Sequence, residues 1–237
     1  MHKRPYNGNE LNYPDISKIK GIKELEMNYQ IILNELDSYL KEHIFESQFN
    51  TTMVENSKFW KVRSLRVWGV EMYSIQKYFP ETLRLLSGID GVINIGFNLL
   101  EPKAVIKTHC GDTNAIIRCH LGLIIPEENN NCALKVNNEI RNWQQGKVIG
   151  FTDAYDHEAW NKTNQKRIIM LFDVLKPEFL TSKNKVCSIV LASLYIQQIA
   201  NYFPKLYKVN PVLLYPISYP LAFLIRVLMP VRNKIKK

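Results

Sequence analysis

Between residues 92 and 175 apolar and polar positions alternate with a period of two. The alternation is interrupted at turn sequences holding Pro102, Gly111, Pro126, the Asn129-Asn130-Asn131 run and Gly146. This pattern predicts strands over 92–100, 103–109, 114–125, 132–142, 147–151, 156–161 and 167–175. Seven short strands at such spacings predict an all-β barrel or jelly roll. In the 114–125 strand, Ile116, Arg118, His120 and Ile124 share one face, and Ile117, Cys119, Leu121 and Leu123 the other. With both faces largely apolar, the strand is expected to be central and covered on each side.

Upstream the period lengthens. Ile22, Leu25, Ile32, Leu36 and Leu40 fall at helical steps and predict a helix over 21–45 that packs outside a sheet. A strand is expected over 64–70, and a short helix over 75–87 with Pro80 at a first-turn position. Residues 1–20, with Pro5, Gly8 and Pro14, read as a polar lead, extended or disordered. Downstream, 186–202 is amphipathic and 212–229 is an 18-residue apolar run interrupted by Pro216, Pro220 and Arg226. At about 1.5 Å per residue that run falls short of about 30 Å of hydrocarbon, and its prolines and arginine oppose a span. An interfacial or dimer-forming element is the expectation.

The chain has 237 residues, 46% of them hydrophobic, which suits one well-buried domain with decorations. Its net charge of +9 is unevenly placed: residues 1–178 hold 22 acidic and 22 basic side chains, while 179–237 hold nine basic ones and no acid. Those basic residues flank apolar runs without the aromatic or Gly-rich patterns of nucleic-acid binders, so no nucleic-acid partner is expected. Contact with a membrane surface through residues 205–237, or a homodimer, fits better. Four cysteines without a CxxC pair, and a first segment without an apolar leader core, predict a reduced, cytoplasmic protein, peripheral on the inner face of the membrane if the tail binds lipid.

The chemistry-bearing residues cluster in the strand block. His109-Cys110-Gly111-Asp112 closes one strand, Arg118 and His120 lie on the next, Asp156-His157-Glu158 opens another, and Arg167 starts the last. Neutral imidazoles bind divalent transition metals, and a fixed guanidinium grips a carboxylate with two parallel hydrogen bonds. A lone strand histidine is usually core, but two of them at strand ends with arginines at matching offsets describe a metal site beside an anion site. His2 and His43 lie outside the pattern. Arg167 could instead pair with a structural carboxylate such as Asp173. Cys110 reads as a packed thiol turned away from its histidine neighbour, and no role is assigned to Trp60, Trp68 or Trp143.

At these residues, and at Phe79-Pro80-Glu81-Thr82 and Trp143-Gln144-Gln145-Gly146-Lys147, the chain resembles the aspartyl/asparaginyl β-hydroxylase family over about residues 58–178. Members are iron(II) and 2-oxoglutarate dependent oxygenases. The resemblance implies a mainly β fold with a double-stranded β-helix (jelly-roll) core at 91–178; with the N-terminal helices expected within 21–90 it makes an oxygenase domain of 21–178, and the basic, apolar helical tail at 179–237, read from its own pattern, lies beyond the resemblance. It implies His109 and His157 as iron ligands, Arg118 and His120 facing the co-substrate, and Arg167 on the distal carboxylate of 2-oxoglutarate, with O2 as second co-substrate. Asn98 falls where animal members place a serine against 2-oxoglutarate.

Many oxygenases of this chemistry carry an acid two residues after the first histidine, where this chain has Gly111. Animal members resemble this chain in that glycine. Either water completes the iron site, the favoured reading, or Asp112 does as a ligand displaced by one residue. The family acts on peptidyl aspartate or asparagine and on lipid A acyl chains. An unspecified peptidyl or amino-acid side chain ranks slightly ahead of a lipid acyl chain, and a non-catalytic jelly-roll binding module is the reading from another class.

Overall fold

The computed structural model describes residues 6–48, 53–126, 130–203, 205, 206, 209, 213 and 215–235. Helices α1 (Ile22–Met27) and α2 (Tyr29–Leu40) precede strands β1 (Glu46–Ser47), β2 (Trp60–Val67) and β3 (Val70–Glu71). Helices α3 (Tyr73–Gln76) and α4 (Pro80–Ser87) lead into β4 (Val92–Leu100), β5 (Ala104–His109), β6 (Ile116–Ile124), β7 (Cys132–Val136) and β8 (Glu139–Asn142). Strands β9 (Val148–Phe151), β10 (His157–Asn161) and β11 (Arg167–Leu175) complete the core, followed by α5 (Lys183–Tyr202) and α6 (Tyr215–Ile235).

The strands form two facing antiparallel sheets. The larger has the order β1-β2-β4-β11-β6-β9, with β3 on β2, and the smaller the order β5-β10-β7-β8. This is the expected jelly roll. Between the sheets lie Leu100, Ile106, Leu134, Trp143, Phe151 and Ile169. On the outer face of the larger sheet, Phe97, Cys119, Leu121, Leu123 and Met170 pack against Ile22, Leu25, Ile32 and Leu36 of the first two helices. Strand β6 is therefore covered on both faces, as the two apolar faces of its sequence require. Pro80 opens α4 at its first turn, where a missing N–H costs nothing.

Several expected elements divide. The helix over 21–45 breaks at Asn28 into α1 and α2. The strand over 132–142 folds into a hairpin, with Asn137 at φ 49° between β7 and β8. Asparagine tolerates that left-handed backbone better than most residues. The strand over 64–70 likewise turns at Trp68-Gly69, both at positive φ, to make β2 and β3. The lead from residue 6 is held against the barrel: Tyr13 Oη donates to the Leu134 and Glu139 carbonyls, and Tyr155 Oη to those of Gly8 and Glu10. None of the four cysteines forms a disulfide. Asn129 and Val212, parts of an expected turn and of the apolar run, lie outside the described residues.

The tail packs on the end of the barrel, where Cys187, Val190 and Leu191 of α5 and Met229 of α6 meet Trp68, Ile93, Ile116 and Leu175. No helix among the described residues is long and apolar enough to cross a membrane.

Candidate active site

Strands β5 and β10 run antiparallel with His109 directly opposite His157. Cross-strand neighbours on one face hold their side chains within reach of each other, and the two imidazole centroids are 4.2 Å apart. Each Nδ1 lies 2.8 Å from a backbone carbonyl two residues earlier, Lys107 for His109 and Tyr155 for His157. A carbonyl only accepts, so both rings carry their proton on Nδ1 and their lone pair on Nε2. Two imidazoles oriented in this way by backbone oxygens form a donor set that fits a divalent transition metal.

The expected residues converge on one pocket. Asn98, His109, Arg118, His120, His157 and Arg167 line it together with Trp60, Trp143 and Phe151. Arg167, the first residue of β11, is only 2% exposed. Its guanidinium stacks on Trp143 at 4.6 Å from the ring centroid, and its Nε has no hydrogen-bond partner. Burial pulls its pKa down to about 10. A buried cation without a counter-ion is costly, and a ligand carboxylate is the group that would relieve it.

His120 is placed alongside. The Trp143 indole donates to His120 Nδ1 at 3.3 Å, which leaves the ring proton on Nε2, and that buried atom has no partner. Burial, and then the charges of Arg167 and Arg118, push the His120 pKa well below the usual imidazole value, so the ring is a neutral donor. Asn98 accepts a 2.9 Å hydrogen bond from Trp60 Nε1 through its side-chain oxygen, so its amide nitrogen is the end able to donate.

Arg118 lines the same pocket, with its charge already paired inside the protein. Asp173, opposite it on β11, takes Nε and Nη2 at 2.7 and 2.9 Å, and Asp153 takes Nη1 at 2.6 Å. Asp173 therefore belongs to Arg118, and the structural pairing considered for Arg167 does not occur.

Asp153 itself is the main residue that the sequence reading missed. Its Oδ1 lies 3.6 Å from His157 Nε2, and the Gly111 N–H donates to its carbonyl at 2.7 Å. A Cβ placed on Gly111 would run into the Asp153 carboxylate. The glycine two residues after His109 thus makes room for an acid that arrives from another strand connection. The available signal was an acid four residues before His157, on the same turn that delivers the histidine.

Asp112 is occupied elsewhere: its Oδ1 accepts from Ser193 Oγ and Gln197 Nε2 of α5, both at 3.1 Å. Among the described residues no group of three His, Cys, Asp or Glu side chains is arranged to hold a metal. This geometry makes Asp112 a clamp between the His109 loop and the tail. Asp112→Ala should leave cobalt(II) or iron(II) affinity within about twofold while lowering Tm by a few degrees, since two hydrogen bonds to a carboxylate are lost. Metal affinity falling as far as in His157→Ala would make Asp112 a ligand.

A second, outer pocket of about 340 Å³ continues from the first, sharing Trp60, Asn98, His109 and Arg118. Its walls come from Glu46 and Gln48 near β1, Trp68, Cys110 and, on α5, Leu194 and Gln197. Cys110 borders the outer pocket, and a helix of the tail forms part of its wall.

The sequence model described as aspartyl/asparaginyl beta-hydroxylase matches residues 26–177. Ornithine lipid ester-linked acyl 2-hydroxylase of Rhizobium tropici is 34% identical over 168 residues, 69% of this chain and 60% of that protein. Aspartyl/asparaginyl beta-hydroxylase of Homo sapiens is 35% identical over 107 residues, 45% of this chain but 13% of its own length. The chain therefore spans less than two thirds of either relative. Among solved structures, a 2OG-Fe(II) oxygenase family oxidoreductase from Burkholderia pseudomallei aligns with 74% of this chain and 95% of its own at TM-score 0.46 and 12% identity. With the family match running from α1 to the end of the jelly roll, the chain belongs to the aspartyl/asparaginyl β-hydroxylase family.

Proposed function

We propose that the chain is an iron(II) and 2-oxoglutarate dependent hydroxylase whose substrate is the acyl chain of a membrane lipid. The observation that carries the co-substrate assignment is the buried Arg167, for which no ion pair is found among the described residues and whose Nε has no hydrogen-bond partner, beside the unpartnered Nε2 of His120 in the pocket that also holds the histidine pair. His109 and His157 would hold the metal through Nε2, their rings fixed by the Lys107 and Tyr155 carbonyls. Arg167 binds the distal carboxylate of 2-oxoglutarate, and the Trp143 ring keeps that ion pair dry and therefore strong. His120 and Asn98 donate hydrogen bonds to the remaining oxygens. Iron(II), with 2-oxoglutarate and O2, supplies the oxidising power that turns a C–H bond into C–OH, giving succinate and carbon dioxide.

Asp153, held by Arg118 at 2.6 Å, keeps a negative charge next to the metal-binding edge of His157. It does so without a ligand acid on the His109 strand. For the substrate, the rhizobial relative, named as an ornithine lipid ester-linked acyl 2-hydroxylase, supports a lipid acyl chain over the peptidyl side chain ranked first from sequence. The outer pocket that would receive it has apolar walls at Trp68 and Leu194 and polar ones at Glu46, Asp112 and Gln197.

Anaerobic addition of iron(II) and 2-oxoglutarate should produce a weak visible charge-transfer band that disappears on exposure to oxygen, with succinate formed. Folded, iron-loaded protein that gives neither band nor succinate would sink the oxygenase reading.

A further inference from the structure

Helix α6 is built inside out. Its buried residues include Ala222 and Met229, but the last turns also point polar groups inward. Arg232 donates to the Glu71 carbonyl, and Asn233 donates to that of Gly69 while accepting from the Glu71 N–H. These contacts fix the rotation of the helix on the β2–β3 hairpin. The opposite face then carries Phe223, Leu224, Val227, Leu228, Val231 and Ile235, each 50% to 78% exposed. At 100° per residue they form one continuous stripe. A surface helix normally shows water its charges, and contiguous apolar patches above a few hundred Å² mark an interaction surface.

The charge around the stripe identifies what covers it. Residues 179–237 carry nine basic side chains and no acid. Lys185 and Arg226 line a groove of about 170 Å³ between α5 and α6 whose other walls include Ile189, Tyr219 and Phe223, and Lys183 joins Arg226 around the neighbouring groove. A second copy of the chain would bring the same basic, acid-free surface against this one, and the like charges would repel. An anionic lipid surface presents acyl carbon to the stripe and negative headgroups to the lysines and arginines. The 21 residues of α6, about 31 Å long, suit a helix lying in the plane of such a surface.

We infer that the outward face of the α5–α6 hairpin seats the protein on an anionic lipid bilayer. The inference stands on the tail's own geometry and goes beyond the hydroxylase reading. The same α5 that borders the basic groove through Lys185 and Ile189 borders the outer pocket through Leu194 and Gln197. One helix thus connects the lipid surface to the pocket.

The test is flotation of the full chain with vesicles of phosphatidylcholine alone and of phosphatidylcholine mixed with phosphatidylglycerol, without iron or 2-oxoglutarate. The chain should float with the mixed vesicles and far less with the neutral ones. High salt should release only part of it, because salt screens the charges and not the apolar burial. The double variant L224E/L228E replaces two solvent-facing side chains and should reduce partitioning at least about tenfold with unchanged far-UV circular dichroism and Tm. R226E combined with K185E should abolish the preference for anionic lipid. The idea is overturned if the full chain ignores both vesicles, or if the leucine variant floats as well as the parent. A vesicle-indifferent dimer in sedimentation equilibrium that L224E/L228E splits would hand the stripe to a second copy. Because no turnover is measured, a failed oxygenase reading leaves this result intact.

Discussion

Replacing Arg167 by methionine should make the protein more stable and remove its affinity for the proposed co-substrate, 2-oxoglutarate. The side chain is 2% exposed, its Nε has no hydrogen-bond partner, and burial lowers its pKa to about 10. A base whose folded pKa lies below its unfolded value opposes folding at every pH where it stays charged. Removing the charge therefore removes a penalty. Methionine fills similar apolar volume against Trp143 and needs no partner. Exchanging buried charge for packed apolar atoms is often neutral or stabilising by about 1–4 kcal/mol, so Tm should hold or rise by several degrees. The 2-oxoglutarate affinity should fall roughly 30- to 5,000-fold, corresponding to about 2–5 kcal/mol for one half of a desolvated ion pair. Iron binding should be unaffected. Calorimetric titration and a thermal melt decide the matter: a variant that is less stable and still binds 2-oxoglutarate normally would show that Arg167 supports the barrel rather than the anion. The lysine variant gives a graded control, since it keeps the charge but loses the planar fork.

The strands of the core were legible because a half-buried strand must alternate, and 92–100 and 167–175 coincide with β4 and β11. The two missed strand divisions share a cause. Trp68 and Asn137 take positive φ in the middle of segments whose alternation runs on through the turn, so the pattern reports a single strand where there are two. Breaks that depend on a single backbone angle leave little trace in hydrophobic periodicity.

The site was legible to the extent that its residues carry their own chemistry. His109, His157, His120 and Arg167 converge because each sits on a strand whose register is fixed by neighbours with strong patterns. The partner of each arginine was not legible. Asp173 could have met either Arg118 or Arg167, and only the antiparallel register of β6 and β11 places it opposite Arg118. Asp153 reads as an ordinary loop acid until its distance to His157 is known. The role of α5 was hidden for the converse reason. Ser193 and Gln197 occupy polar positions of an amphipathic helix, which by sequence alone belong to solvent, yet they hold Asp112 and, for Gln197, line the outer pocket.

The largest effect is expected at the histidine pair. With His109 and His157 as the proposed ligands, and Asp153 beside His157 already held by Arg118, neither imidazole has a substitute. His157→Ala should lower iron(II) or cobalt(II) affinity by at least about a hundredfold and abolish 2-oxoglutarate turnover, with His109→Ala doing the same. The fold should survive. His157 is buried, but its strand stays paired on both sides, with β5 and with β7, through backbone hydrogen bonds that the substitution leaves in place. The loss of its side-chain bond to the Tyr155 carbonyl and of its contact with Phe151 should cost about 1–3 kcal/mol, a modest fall in Tm. The discriminating comparison sets this variant beside Asp112→Ala under anaerobic metal titration. Metal affinity lost in the histidine variants and kept in the aspartate variant would establish a site built on two side chains. Full affinity in His157→Ala would mean that the metal is held elsewhere, and the assignment of the whole pocket would fall with it.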